Sequence, residues 1–329
     1  MSVMGDNRDE LLYRVAQLYY GADETMESIA ATIGVSRSTI SRLLTEARES
    51  GIVRISLART GSASTGLALR LNELFGVTAR VVDMPRGQSD QQRMDAVARV
   101  AARCLGDWVA PGMTLGVAWG TTIFQVATHL NPQPVAGLRV VQLNGAANSW
   151  TTGIPYASAI VARIADALDA ECTFFSVPAF FDFAETRAAM WRERSVRNVL
   201  AQQRTCTLAL FGVGGLTGGT ASHVYNAGYL DAADLSALST QGVVGDVCTV
   251  LIREDGSYAD IAMNARATGP TPQELRAIPR RVCVVAGDTK VPAIVGALRA
   301  GVATDLIIDS STATAVLTRI EAAGRTRET

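Results

Sequence analysis

One lysine, Lys290, stands against twenty-nine arginines in this chain, and histidine is almost as scarce, with only His129 and His223. So thin a supply of imidazole argues against a histidine-based metal site. None of Cys104, Cys172, Cys206, Cys248 and Cys283 pairs at ligand spacing, so no metal is expected. Five scattered cysteines, mostly inside apolar strand-like segments, read as small core filler in a reducing compartment rather than a disulfide framework. No uninterrupted apolar run is long enough to span a bilayer, and Met1 to Glu10 is polar with no secretory apolar segment. A cytoplasmic protein without a membrane partner is the expectation. Net charge is −1, so a globally basic nucleic-acid binder is excluded. His223 has no spaced nucleophile partner, and neither a dinucleotide fingerprint nor a P-loop occurs, so no catalytic residue and no cofactor is expected.

What is present begins at residues 25 to 48, TMESIAATIGVSRSTISRLLTEAR. Met26, Ile29, Ala30 and Ile33 recur at helical intervals, Gly34-Val35 interrupts them, and Ser36 restarts the pattern as a helix cap. The spacing predicts a helix-turn-helix. On its second helix Ile40, Leu43, Leu44 and Ala47 share one side, leaving a polar face whose candidate DNA contacts are Ser36, Arg37, Ser38, Thr39, Ser41 and Arg42. Short hydroxyls allow close approach, and arginine reads guanine bidentately or neutralises a phosphate. The competing reading is a plain helical hairpin with a solvated face. Met1 to Leu57 holds six arginines and eight acids, so the head is weakly charged. With few phosphate contacts per protomer, operator binding is expected to depend on a homo-oligomer, a dimer or tetramer. Arg8 to Tyr20 reads as a preceding helix, and Gly51 to Leu57 as a short β-branched strand, which together give a winged arrangement over residues 1–57.

Ala58 to Gly66, ARTGSASTG, has the composition of a linker, and residues 67–329 alternate helix and strand. Strands are expected at Val77–Asp83, Met113–Val117, Leu138–Leu143, Cys172–Val177, Cys206–Val213, Val243–Ile252, Arg281–Ala286 and Asp305–Asp309. Helices are expected at Leu67–Phe75, Gln91–Leu105, Ile154–Leu168, Ala184–Gln202, Val291–Ala300 and Thr312–Ala322. The alternation predicts an α/β, Rossmann-like, mostly parallel sheet covered on both faces, with ligands at the carboxyl ends of its strands. Glycines gather at those ends: Gly120 before Thr121 and Thr122, then Asn144-Gly145, Gly212-Val213-Gly214-Gly215 and Gly245-Asp246. The first of these suits a phosphate on free backbone N–H groups, or serves only as a turn glycine and helix cap. Lys290, where Arg is otherwise the default cation, sits at another strand-to-helix junction, Val284-Val-Ala-Gly-Asp-Thr-Lys290.

The segments LYRVAQLYY, ESIAATIGVSRSTISRLLTEAR and ESGIVRISL, followed by GVAWGTTI, QLNGA, LFGVGGL, VVGDV, REDG and LRAIPRRVCVVAGDTKVPAIVGALRAGVATDLIID, resemble the ordered motifs of the SorC family of sugar-responsive transcriptional regulators over nearly the whole chain. The resemblance implies a sugar or sugar-phosphate effector domain related in fold to sugar-phosphate isomerases and deaminases, usually tetrameric, whose ligand controls operator DNA affinity. It implies that Thr121 and Thr122, with Lys290, hold a phosphate and that Asp246 accepts from sugar hydroxyls. The full candidate effector set is Gly120, Thr121, Thr122, Phe124, Asn144, Gly145, Gly214, Asp246 and Lys290; Phe180 is a further aromatic that lines the pocket or belongs to the core. Two departures stand out. Asp288 places a carboxylate beside the lysine where the family often has Gly, and no lysine stands at the QLNGA strand, so an imine with the sugar is excluded there. The alternatives are a sugar-phosphate isomerase fused to a DNA-binding domain, and a ligand-free architectural DNA binder.

Overall fold

Gly34 and Ser36 set the geometry of the first helices. The computed structural model describes residues 3–22, 24–53, 63–85, 87–148, 154–216, 222–226 and 228–325, and its chain divides into two compact units, Met1–Thr60 and Gly61–Thr329. In the first unit α1 (Val3–Ala16) runs into a π-turn at Gln17–Gly21, followed by α2 (Met26–Ile33) and α3 (Arg37–Glu49). Thr25 and Ser36 cap α2 and α3 by accepting the amides of Ser28 and Thr39. Gly34, at φ 78°, ends α2 in the left-handed region where a side chain would be strained. Leu12, Val15, Ile29, Ile40, Leu43, Leu44 and Ala47 form the buried core of this unit, which is the apolar side expected from the helical spacing. The expected strand at Gly51–Leu57 is not seen where it can be judged: Gly51–Val53 form a turn, and the remainder lies outside the described residues.

In the second unit the helices are α4 (Ala63–Phe75), α5 (Asp90–Trp108), α6 (Thr121–His129), α7 (Ile154–Leu168), α8 (Ala184–Met190), α9 (Arg194–Gln203), α10 (His223–Asn226), α11 (Ala232–Thr240), α12 (Pro272–Arg276), α13 (Val291–Arg299) and α14 (Ser310–Arg325). The strands are β1 (Thr78–Val82), β2 (Thr114–Val117), β3 (Arg139–Gln142), β4 (Glu171–Thr173), β5 (Leu208–Phe211), β6 (Val213–Gly215), β7 (Val243–Val247), β8 (Val250–Arg253), β9 (Arg280–Val285) and β10 (Asp305–Asp309). Seven of them form one parallel sheet in the order β1-β10-β9-β5-β2-β3-β4, and β6-β7-β8 form a small antiparallel sheet. Strands β2, β5 and β10 are buried along their whole length, as expected for strands covered on both faces. From β2 the chain steps outward through β3 to β4, then returns to the other side of β2 as β5. The strand order therefore reverses between β2 and β5, where an open α/β sheet leaves a crevice.

Four expectations are corrected. Ala63–Gly66 belong to α4 rather than to a linker: Leu71 is buried in the core, and the Ser64 hydroxyl donates to Asp83 at 2.9 Å, so tertiary contacts order a segment of small polar residues. Residues 58–62 lie outside the described residues. Val243–Ile252 is a hairpin, turning at Cys248 and Thr249, both at positive φ, instead of one strand. Ala184–Gln202 breaks into two helices at Trp191, whose ring is held edge-on by Phe175 and Phe181. Only Glu171–Thr173 of the Cys172–Val177 region pairs as strand.

Candidate functional site

A cavity of about 260 Å³ opens at the reversal point between β2 and β5. It is lined by Gly120, Thr121, Thr122, Asn144, Gly214, Asp246 and Lys290, so seven residues from five separated segments of sequence meet there. Gly120 adopts φ 151°, outside ordinary side-chain space, and turns the chain from β2 into α6 so that the helix N-terminus faces the cavity. Thr122 is buried and Thr121 lies exposed at the mouth.

Asp246 is almost fully buried on β7. Its Oδ2 accepts the Thr249 amide at 3.0 Å, which fixes the carboxylate and closes the β7–β8 turn, while its Oδ1 has no hydrogen-bond partner among the described residues. Burial raises its pKa to about 6, and the nearby Tyr225 hydroxyl, the Thr249 amide and the Lys290 ammonium limit the rise. A Cβ on Gly214 would sit 2.0 Å from Asp246 Oδ1, so the missing side chain makes room for the carboxylate. Asn144 Oδ1 is likewise buried without a partner. Two acceptors thus face one cavity unsatisfied, an arrangement that costs free energy until a donor arrives.

Lys290 ends the short turn Asp288–Lys290 before α13, its amide donating to Gly287 O at 3.2 Å, and its side chain makes no hydrogen bond or ion pair with a described residue. Burial pulls its pKa below the usual lysine value, and Asp246, Cys283 and Asp90 oppose that fall. Asp288 is not among the cavity's lining residues; it accepts from Arg93 at 2.9 Å, which answers the question its position raised. Arg93, itself buried, also binds Asp90 at the start of α5 and lies 3.6 Å from Asp309, so one guanidinium ties two cavity-bordering segments to each other and to the end of β10.

Two candidate effector residues do not reach the cavity. Phe124 faces Tyr156 in a stacked pair 6.3 Å apart, because its place one turn into α6 points it toward α7. Gly145 is structural: its amide donates to Thr268 Oγ1 at 3.0 Å, its carbonyl accepts from Trp119 Nε1 at 2.8 Å, and a Cβ would meet Pro178 O at 2.2 Å. Phe180 also lies elsewhere, buried and bridged to Ala267. Sequence reasoning missed Trp119, Cys248, Thr249, Thr289 and the α5 residues Asp90, Gln91 and Met94, all of which line the cavity. Trp119 sits inside the quoted GVAWGTTI, where a signal was available. The α5 residues carry no local signal, since only the fold brings them there.

On α3, Ile40, Leu43, Leu44 and Ala47 are buried while Arg37, Ser38, Ser41, Arg42 and Thr45 are exposed. Ser36 and Thr39 are partly committed to the helix start, where the Ser36, Ser38 and Thr39 hydroxyls stand within 2.8 Å of one another through Ser36. Arg37 pairs with Glu27 at 2.7 Å, and Arg48 folds back onto Leu44 O and Thr45 Oγ1. Arg42, exposed on the same face, makes no ion pair with a described residue.

The family model described as "Putative sugar-binding domain" matches residues 61–318, and that of sigma-70 region 4, a helix-turn-helix, matches residues 14–50. The chain is 31% identical to the deoxyribonucleoside regulator of Bacillus subtilis, over 95% of this chain and 99% of that one. It is 26% identical to the sorbitol operon regulator of Klebsiella pneumoniae, over 95% and 99%. Among solved structures, a domain of a "possible sugar-binding transcriptional regulator" from Arthrobacter aurescens TC1 superposes with TM-score 0.74 at 44% identity, covering 79% of this chain and all of that one. The full-length sorbitol operon regulator SorC of Klebsiella pneumoniae shares the fold with TM-score 0.73 at 24% identity, covering 94% and 98%. These relatives are regulators rather than enzymes, and no helix among the described residues is long and apolar enough to cross a membrane. With a helix-turn-helix ahead of a sugar-binding domain matched over most of its length, the chain belongs to the SorC family of sugar-responsive, DNA-binding transcriptional regulators.

Proposed function

We propose that the effector is a phosphorylated sugar bound in the cavity at the β2–β5 reversal, and that it alters the affinity of a homo-oligomer, dimer or tetramer, for operator DNA in the cytoplasm. The single observation that carries this reading is the pairing of chemistries across 260 Å³: unsatisfied acceptors on Asn144 and Asp246 face the same space as an unpaired Lys290 and the N-terminus of α6. Sugar hydroxyls donate to the two carbonyl-type oxygens. A phosphate takes the backbone N–H groups, the hydroxyls of Thr121 and Thr122, and the ammonium. Lys290 acts as a point charge, and no second lysine exists to trap the sugar covalently at Asn144. On the DNA side, Arg37 and Arg42 with Ser38 and Ser41 form the reading face, and Ser36 and Thr39 hold its helix start. The relation to a deoxyribonucleoside regulator supports a pentose-type effector from a carbohydrate or nucleoside catabolic route.

The test is a thermal-shift panel of pentoses, deoxypentoses and polyols, each beside its phosphate ester, followed by operator binding with any hit. A phosphate ester is expected to stabilise the protein where its parent sugar does not, and Lys290→Ala is expected to remove that difference while leaving operator affinity unchanged. Equal shifts from ester and parent, or an unaltered response in Lys290→Ala, would overturn the assignment.

A further inference from the structure

Five arginines lie along α8, α9 and their flanks, and Arg187, Arg192, Arg194, Arg197 and Arg204 form no ion pair with any described residue. Two of them, Arg187 and Arg204, line a cavity of about 340 Å³ that holds none of the effector-site lining residues. Leu143, Leu200, Pro270 and Ile278 give it an apolar wall, and Arg187 and Arg204 bring positive charge to it. A shallower groove of about 460 Å³ along α9 adjoins it, sharing Trp191, Leu200 and Arg204 and adding Arg194 and Arg197.

Arg187 is the telling residue. Its guanidinium lies 4.4 Å from the centre of the Trp191 ring, and its Nε is buried with no hydrogen-bond partner. A desolvated donor of a fixed cation is costly; burial lowers its pKa, and the charge of Glu274 across the cavity opposes that fall without reaching ion-pair distance. Glu274 lines the same cavity, but its Oε2 already accepts the Thr271 amide and hydroxyl in the α12 cap, at 2.8 and 2.9 Å. Glu185 and Glu193, the other acids of α8 and its connection to α9, are exposed and line neither cavity nor groove.

We propose that this cavity is a second ligand site, taking a small organic anion whose carboxylate or phosphate engages Arg187 and Arg204 and whose apolar body packs on Leu143, Leu200 and Ile278. The site shares a wall with the effector pocket. Leu143 lines the second cavity while its neighbour Asn144 lines the first, and Gln203 Nε2 donates to the carbonyls of Gln142 and Leu143 at 2.8 and 3.1 Å. Thr268, on the second cavity, holds the Gly145 amide. Occupancy therefore bears on the strand end that presents Asn144.

The experiment is calorimetric titration of the full chain with phenyl phosphate, beside inorganic phosphate as the anion alone and benzyl alcohol as the apolar body alone. One saturable phenyl phosphate site is expected in both wild type and Lys290→Ala. Arg187→Gln should weaken it about tenfold or more, and the exposed Arg204→Gln, which leaves the interior untouched, by a smaller factor. Arg187→Gln should keep its thermal response to a sugar phosphate, which separates this site from the effector pocket. The proposal is overturned if Lys290→Ala abolishes binding, if inorganic phosphate binds as well as phenyl phosphate, if both arginine variants bind normally, or if Arg187→Gln changes the sedimenting mass instead, which would make the groove a contact between copies of the chain.

Discussion

Replacing Asp246 by Asn should stabilise the unliganded effector unit while silencing it. The carboxylate's pKa rises from 3.8 to about 6 because it is buried, so the folded state holds a proton that the unfolded chain has already released. The sign follows: stability tied to this group is fully present below the unfolded value and is lost as pH rises through about 6. A rise of about two pH units corresponds to about 3 kcal/mol of lost stability at neutral and higher pH. Asn keeps an oxygen for the Thr249 amide, so the turn at Cys248 and Thr249 retains its anchor. Lys290 loses a neighbour that favours its charged form, which returns part of the gain. The net expectation is a stabilisation of about 1–3 kcal/mol near pH 8, vanishing near pH 4. Denaturant midpoints of wild type and Asp246→Asn, measured across this range without ligand, give the difference curve directly. Parallel curves would refute the reasoning, since they would mean that Asp246 does not titrate there. The same variant should lose its thermal response to the effector, because an amide cannot substitute for the carboxylate toward both a hydroxyl and Lys290.

Three further outcomes are expected. Arg42→Ala should cost about 1–3 kcal/mol of operator affinity by fluorescence anisotropy. Arg37→Ala should cost less, because Arg37 must first leave its 2.7 Å pair with Glu27; the reverse order would contradict the assignment of Arg42 as the more available cation. Arg93→Met should destabilise the effector unit by about 3–5 kcal/mol, since it leaves the buried Asp309 with Thr312 as its only donor among the described residues. It should also weaken the effector response by loosening Asp90 and the Asp288–Lys290 turn, and a denaturation curve unchanged from wild type would dismiss this role. Gly214→Ala sets a methyl 2.0 Å from Asp246 Oδ1 and 2.9 Å from Ser222 Oγ, so it should abolish the ligand-induced thermal shift at a stability cost of about 1–3 kcal/mol. A retained shift would show that Asp246 does not hold the ligand.

The sequence carried most of the frame because its signals are local. Apolar spacing on α2 and α3, the Ser36 cap and Gly34 determine the helix-turn-helix within two dozen residues, and fully apolar strands such as Leu208–Phe211 announce a doubly covered sheet. What failed depended on contacts between distant residues. Nothing near Ala63 indicates that Leu71 will be buried in the core or that Ser64 will find Asp83. The hairpin inside Val243–Ile252 has no glycine at its turn, so Cys248 and Thr249 gave no sign of the positive φ that Asp246 supports from β7. At the site, residues at strand exits were legible since glycine and hydroxyl mark them, while Phe124 and Gly145 show that proximity in sequence to such an exit does not decide where a side chain points or what a glycine is for. Arg93, the residue that ties the cavity's borders together, is one arginine among twenty-nine and became visible only through its three carboxylates.

On the proposed binding mode, the placement of the two halves of the cavity would give a small ligand leverage. Thr121 and Thr122 follow a strand of the large sheet, whereas Asp246 belongs to the small antiparallel sheet. Lys290 opens α13, against which the small sheet rests so closely that a Cβ on Gly245 would lie 2.6 Å from that of Ala293, and one on Gly296 would lie 2.4 Å from Arg253 O. A ligand held at one end by α6 and Lys290 and at the other by Asp246 therefore spans both sheets, and its binding energy depends on how they are spaced. Such dependence is the differential affinity for two arrangements that any ligand-controlled change requires. In the absence of ligand, the unsatisfied oxygens of Asn144 and Asp246 and the buried charge on Asp246 make the assembled pocket costly. On the proposed binding mode, the groups that would recognise the effector also weaken the arrangement it would select, so that its binding would add to the fold in holding the two sheets together.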